Sequence, residues 1–358
     1  MLKIQNRRYI GNKTKMLESI YEAASEAAKS VFTDFGKNTL VFADLFAGTG
    51  VVSQYFADRG FDVIINDFLY SNYVPYKAWF NNSDYSNEKI QQFIDKYNTL
   101  EYKTISSNYF SDIYSNKYFS ENDAKKIGYI REDIENQRNN LTEREYYILL
   151  STLIYTVDRI ANTVGHFEHY LKEIPQDTHF KLKYLELKKY SNIEIYNEDT
   201  NILAKRIESD ITYLDPPYNA RQYINFYHVL ENLARWDKPN EFEGISMKFK
   251  RDHLKSGYSK SIAKTLMTDL IDSIKSKIII VSYNNTYNAK SGASNNKISE
   301  TEMLDILLKK GSVEIIEIPY DYFNAGKTNF NGHLEKLFVC KVARNNENTR
   351  LLFRTKQG

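Results

Sequence analysis

Short apolar runs alternate with amphipathic stretches over the first 70 residues, and again after residue 190, in a strand, turn, helix rhythm. Residues 39–45 read as an apolar strand, 51–59 as a helix and 61–66 as a second strand. Ahead of them Met16, Leu17, Ile20, Ala23, Ala24, Ala27 and Ala28 recur at helical spacing over residues 13–29, with Thr14 as a cap. After the gap come strands at 193–196, 211–214, 278–283, 313–319 and 334–342, and helices at 223–236, 262–274 and 300–309. Residues 284–297 and 320–332 read as loops, the second Gly/Asn-rich and carrying Lys327. Between the two rhythmic parts, charges, Asn and Tyr alternate with short helical segments. One helix there is clear. Thr142 begins it as the start of Thr-Glu-Arg-Glu, and Tyr146, Leu149, Leu150, Leu153, Ile154, Val157 and Ile160 form its apolar face. The pattern predicts an open α/β unit over 1–70 and 191–345, a largely helical insertion over 71–190, and a polar tail over 346–358.

The candidate chemistry gathers where the predicted strands end. The run Ile211 to Leu214 stops at Asp215-Pro216-Pro217-Tyr218. Prolines cannot continue a sheet ladder, so this is a stiff loop at the carboxyl end of a strand, where open α/β sheets hold ligands. Asp215 and the Pro216 carbonyl suit a flat heterocycle bearing an amine, and Tyr218 suits its ring face. A β-turn that opens with an acidic residue is the plainer alternative. Upstream, Phe46-Ala47-Gly48-Thr49-Gly50 joins the strand at 39–45 to a helix, the layout of a nucleotide-binding βα unit. Asp67 ends the next strand, placed either to bind ribose hydroxyls or to cap a turn. Asp199 follows another strand. As a charge cluster alone, Arg7, Arg8 and Lys13 read as a solvated basic end. His166 and His169, three apart, lack a third ligand at recognisable spacing, so the stretch 162–170 reads as a loop or substrate contact and no metal site is assigned. Residues 238–260, with Lys248, Lys250, Arg251 and Lys255, form either a mobile phosphate-meeting loop or a solvated connection.

Composition narrows the classes. A chain of 358 residues can bury a large core without disulfides. A net charge of +2 means that any nucleic-acid site must come from local patches. The single cysteine, Cys340, lies in an apolar run and reads as a buried thiol, which fits a reducing cytoplasm. The first 15 residues are polar and basic, unlike a signal peptide, and no run reaches membrane-spanning length. The 29 tyrosines and 20 phenylalanines are mostly core or ordinary surface, but they supply rings for base stacking.

With these stretches in place, the sequence resembles the D12-class DNA adenine-N6 methyltransferases, the Dam-like group. Arg8-Tyr9-Ile10-Gly11-Asn12-Lys13 looks like the motif that contacts the methionine end of S-adenosylmethionine, which implies Tyr9, Asn12 and Lys13 at the cofactor. Asp44-Leu45-Phe46-Ala47-Gly48-Thr49-Gly50 looks like the cofactor loop, Asp67 falls where the family binds ribose, and Asp199 where it binds the cofactor adenine. Asp215-Pro216-Pro217-Tyr218 matches the catalytic motif, with Asp215 also at the cofactor. The resemblance implies a Rossmann-like S-adenosylmethionine-dependent sheet with an inserted recognition domain. It implies transfer of methyl to the N6 amine of a flipped adenine in duplex DNA, with S-adenosylhomocysteine as product. Lys248, Lys250, Arg251, Lys255 and His166 become the expected nucleic-acid contacts. It further implies a restriction-modification setting with a cognate endonuclease, in a bacterial or phage-encoded cytoplasm. An RNA adenine or DNA cytosine-N4 methyltransferase, or a non-catalytic binding module on the same fold, are the rival readings.

Overall fold

The computed structural model describes residues 1–284, 297–319, 334–343 and 351–355. The loops expected over 284–297 and 320–332, with Lys327, therefore lie outside the described residues apart from Asn284 and Lys297. Strands in chain order are β1 Val41–Asp44, β2 Asp62–Asn66, β3 Ile193–Tyr196, β4 Ile211–Leu214, β5 Phe242–Glu243, β6 Lys248–Phe249, β7 Ile278–Asn284, β8 Gly311–Pro319, β9 Leu334–Val342 and β10 Leu351–Thr355. Helices are α1 Leu17–Val31, α2 Val51–Ala57, α3 Tyr70–Trp79, α4 Asn87–Asn98, α5 Tyr109–Tyr114, α6 Glu121–Asn136, α7 Glu143–Ile160, α8 Thr200–Leu203, α9 Tyr223–Arg235, α10 Ala263–Ser273 and α11 Glu300–Leu308.

Eight strands form one sheet in the order β10-β8-β9-β7-β4-β1-β2-β3, and β5 and β6 form a separate hairpin. All neighbours pair parallel except β7 with β9 and β8 with β9. Chain order reverses between β1 and β4. Beyond the carboxyl ends of those two strands lies a crevice, the place where open α/β sheets hold ligands. Side chains alternate across the sheet: Phe42, Ile278 and Ile280 enter one apolar cluster, while Ala43, Ile279 and Val281 enter the other. Cys340 is buried on the second face, and burial pushes its thiol up to about 12. This is an α/β Rossmann-like sheet.

The stretch 71–190 is helical, but it is not a detached unit. Ile90, Tyr97, Phe110 and Leu149 share one cluster with Phe42 and Ile278 of the sheet. Helix α3 packs against β3 and α9. The Glu231 carboxylate of α9 accepts the Tyr70 and Ser71 amides at 3.0 and 2.9 Å. The insertion boundary at residue 71 thus falls inside a helix that serves the sheet layer. Helix α7 starts as its sequence suggested: Thr142 accepts the Glu145 amide at 3.2 Å while Glu145 accepts the Thr142 amide at 2.9 Å. Within the stretch expected as a polar tail, Leu351–Thr355 forms an edge strand paired parallel with β8, with Phe353 the type of residue that favours extended backbone. Among the described residues no helix is long and apolar enough to cross a membrane.

Candidate active site

The crevice at the β1/β4 reversal holds a cavity of about 1060 Å³, counted to its open mouth. It is lined from three parts of the chain: the amino-terminal stretch (Tyr9, Asn12, Lys13), the loops after β1 and β2 (Asp44, Phe46, Ala47, Gly48, Asp67), and the region after β3 and β4 (Asp199, Asp215). Gly50 lies just behind the lining as the left-handed residue before α2, at φ 82°.

The glycines answer to the fold first. Gly48 has φ +55°, and a Cβ there would stand 2.9 Å from Cε1 of Tyr9. A Cβ on Gly50 would meet Tyr76 and Ile4 at 3.0 and 3.1 Å. Side chains at these two positions would first strike Tyr9 and Tyr76. The Tyr76 hydroxyl donates to the Gly48 carbonyl at 2.6 Å, which fixes the loop. Tyr9 stacks on Tyr227 with centroids 4.7 Å apart and 5° between planes.

Four carboxylates line this cavity. Asp67 takes the Gly48 amide at 2.9 Å and the Leu69 amide at 2.8 Å, so it ties the first loop to the second. Burial raises its pKa to about 6, against those hydrogen bonds. Asp44 accepts the Ser53 hydroxyl at 2.7 Å through Oδ2, while its buried Oδ1 has no partner. Burial raises Asp44 to about 7. Asp215 Oδ1 accepts the Tyr218 hydroxyl at 2.7 Å and lies 3.3 Å from Lys13 Nζ. Asp199 is exposed, and its Oδ1 caps α8 by accepting the Asn201 and Ile202 amides at 2.9 and 3.3 Å.

The basic end is not solvated, which overturns the charge-cluster reading. Arg7 is buried, and its Nη1 donates to the Ser71 carbonyl and Asn72 Oδ1 at 2.8 and 2.6 Å. The Arg8 amide donates to buried Asp158 of α7 at 2.8 Å. Lys13 is buried between Asp215 and Glu335, the latter 3.5 Å away. Burial works against the Lys13 charge, but the two carboxylates outweigh it and hold its pKa above normal.

A family model described as "D12 class N6 adenine-specific DNA methyltransferase" matches residues 9–289. The chain belongs to this D12 class. Modification methylase StsI of Streptococcus sanguinis is 36% identical over 349 residues, covering 92% of this chain and 51% of that protein. Modification methylase LlaI of Lactococcus lactis subsp. lactis is 32% identical over 357 residues, covering 92% of this chain and 53% of that protein. Type II methyltransferase M.NlaIII of Neisseria lactamica is 32% identical over 339 residues, covering 91% and 95%. The D12-class chain spans about half the length of the first two relatives.

Within this D12-class site the tetrapeptide divides. Asp215 and Pro217 line the cavity, whereas Pro216 and Tyr218 border a small void behind it with Tyr283 and Met303. The Tyr218 ring meets Tyr283 edge-on at 5.6 Å. Its hydroxyl also contacts the Ser282 carbonyl.

The expected nucleic-acid residues scatter. Residues 238–260 fold as the β5–β6 hairpin and two 3-10 turns. Arg251 is buried. Its Nε donates to Asn225 at 2.8 Å and its Nη1 to the Phe249 carbonyl at 3.0 Å. Its charge is spent inside, so it is withdrawn as a phosphate contact. Lys248 is half-buried, which lowers its pKa; Lys250 is exposed; Lys255 lines the cavity and pairs with Asp252 at 2.6 Å. His166 rests against Phe226 at 5.1 Å, and burial lowers its pKa.

Sequence reading missed Tyr223, Tyr258 and Glu335. Tyr223 and Tyr258 are cavity walls supplied by a helix start and a 3-10 turn, where helical periodicity carries no site signal. Glu335 reaches the site only because β9 runs antiparallel to β7, which brings its first residues beside Asn284.

Proposed function

We propose that this chain transfers a methyl group from S-adenosylmethionine to the N6 amine of an adenine in duplex DNA, as the modification part of a restriction system paired with an endonuclease in a bacterial or phage-infected cytoplasm. The observation that carries this reading is the meeting of the Gly48 loop, Asp67 and Asp215 in one cavity at the β1/β4 reversal. The fit to the cofactor rests on Asp44, whose buried Oδ1 lacks a donor and suits an amino group. Asp67 suits the ribose hydroxyls, Asp199 the cofactor adenine, and Tyr9, Asn12 and Lys13 line the methionine side. S-adenosylmethionine, when bound, supplies an activated methyl on sulfur.

The chain's own residues then act by position and field. The adenine amine is a poor nucleophile because its lone pair is delocalised into the ring. Asp215 and the Pro216 carbonyl would accept its hydrogens and aim that lone pair. Asp215 Oδ1 already takes the Tyr218 hydroxyl, so Oδ2 is the oxygen for the amine. The base must leave the duplex to reach this depth. The part-exposed Tyr218 ring offers it a face, with its orientation fixed by its own hydroxyl. The helical insertion reads bases, while exposed Lys250, with Lys248, Lys255 and His166 nearer the site, meets the backbone.

The test is incubation with methyl-labelled S-adenosylmethionine and, in parallel, duplex DNA or RNA, then digestion to nucleosides. Label in N6-methyldeoxyadenosine from the DNA supports the reading. Label in N4-methylcytosine, in RNA only, or in neither points to a rival.

A further inference from the structure

One part-buried carboxylate, paired with the cavity-lining Lys13, has no task in the reaction above. Glu335 opens β9 with 14% of its side chain exposed, and its Oε2 lies 3.5 Å from Lys13 Nζ. The same ammonium, 8% exposed, lies 3.3 Å from Asp215 Oδ1. One cation thus serves two carboxylates in a wall that excludes most water. The two acids arrive from different strands, β4 and the antiparallel β9, and Lys13 leads into the turn before α1.

We propose that Glu335 is a positioning residue for methyl transfer, sharing Lys13 with Asp215 so that the ammonium does not neutralise the carboxylate that faces the target amine. The inference rests on the methyl-transfer reading. In the transfer the carbon–nitrogen bond forms as the carbon–sulfur bond breaks. The bonding pair stays on sulfur, positive charge moves to nitrogen, and the proton on nitrogen then leaves to water. A lone Lys13–Asp215 pair would present no net charge to that nitrogen. With Glu335 drawing the same ammonium, Lys13 cancels less of Asp215, whose remaining negative field favours charge arriving on nitrogen where the dielectric is low. Glu335 touches no reacting atom and acts only through Lys13. Burial raises the Glu335 pKa, and Lys13 opposes that rise.

Two readouts on the full chain test this. Without ligands, competitive acetylation of amines across pH, read by mass spectrometry, gives the apparent pKa of Lys13. Glu335→Gln keeps the shape and removes the charge, so the Lys13 value should fall while those of other lysines stay. With labelled S-adenosylmethionine and duplex DNA both saturating, single-turnover methylation by Glu335→Gln should be about tenfold or more slower, with both affinities within about threefold of wild type. Because Glu335 acts through Lys13, adding Glu335→Gln to Lys13→Met should lower the rate no further. An unmoved Lys13 pKa, a loss undiminished in the Lys13→Met background, or a loss carried wholly by affinity would overturn the proposal. If Glu335→Gln does not fold, Glu335→Asp decides: retained charge predicts a rate within about threefold of wild type, and a tenfold loss contradicts it. If the wild type methylates no nucleic acid, the functional reading fails, while the Lys13 labelling still tests charge sharing.

Discussion

The hydroxyl of Tyr218 lies 2.7 Å from Asp215 Oδ1, and this changes what a tyrosine in that place is for. From sequence it reads as a stacking ring, and Tyr218→Phe would be harmless. In the structure the phenol orients the carboxylate. Tyr218→Phe is therefore expected to slow single turnover by about tenfold, the worth of roughly one hydrogen bond to a charged group. Tyr218→Ala should in addition weaken the signal of a fluorescent base analogue that reports extrusion. Asp44 carries a pH prediction. Its folded pKa of about 7 lies above the usual 3.8, so its proton is held more tightly in the native state. The stability it contributes is full below about pH 4 and is lost as pH rises through about 7. Asp67, at about 6, acts in the same window. Ligand-free protein should therefore weaken between those limits, and Asp44→Asn should remove on the order of 4 kcal/mol of that change, read by denaturant titration at each pH. A slope identical to wild type would mean that Asp44 titrates normally. The stretches that meet in the cavity were legible because prolines and glycines punctuate strand ends. The hydroxyl contact was not, because it depends on a rotamer.

At the scale of elements, most strands and helices followed from periodicity. Ile193–Tyr196 and Ile211–Leu214 span the residues their apolar runs suggest, and the Thr142 cap forms as its spacing requires. The segment 238–260 did not yield to this approach. Its charges look solvated in sequence, yet Arg251 is drawn under the hairpin by Asn225 and the Phe249 carbonyl. Arg251→Ala leaves buried acceptors unpaired and should cost about 2–4 kcal/mol of stability in denaturant unfolding. Exposed Lys250→Ala should leave stability unchanged but flatten the salt dependence of duplex binding by about one phosphate contact. If instead Arg251→Ala is stable and flattens the salt slope, the hairpin opens to present that side chain. Glu335 was illegible for a topological reason. Nothing in an apolar strand announces that its antiparallel return will set a carboxylate beside a lysine more than three hundred residues away.

At the scale of the molecule, a nearly neutral chain builds its site from parts far apart in sequence, all meeting where strand order reverses. The insertion is joined to that body through Asp158 with Arg8 and Glu231 with Tyr70. Asp67→Ala unties two loops at once and should weaken S-adenosylmethionine binding at least tenfold by calorimetry in a folded protein. The central claim is that Asp215 is the acceptor for the target amine, a contact that gains strength only as charge develops. The most direct measurement compares Asp215→Ala with wild type in single-turnover methylation of duplex DNA, with S-adenosylmethionine and DNA both saturating. The prediction is a rate at least a hundredfold lower, with both dissociation constants within about threefold of wild type. A variant that methylates at near wild-type rate would contradict the account.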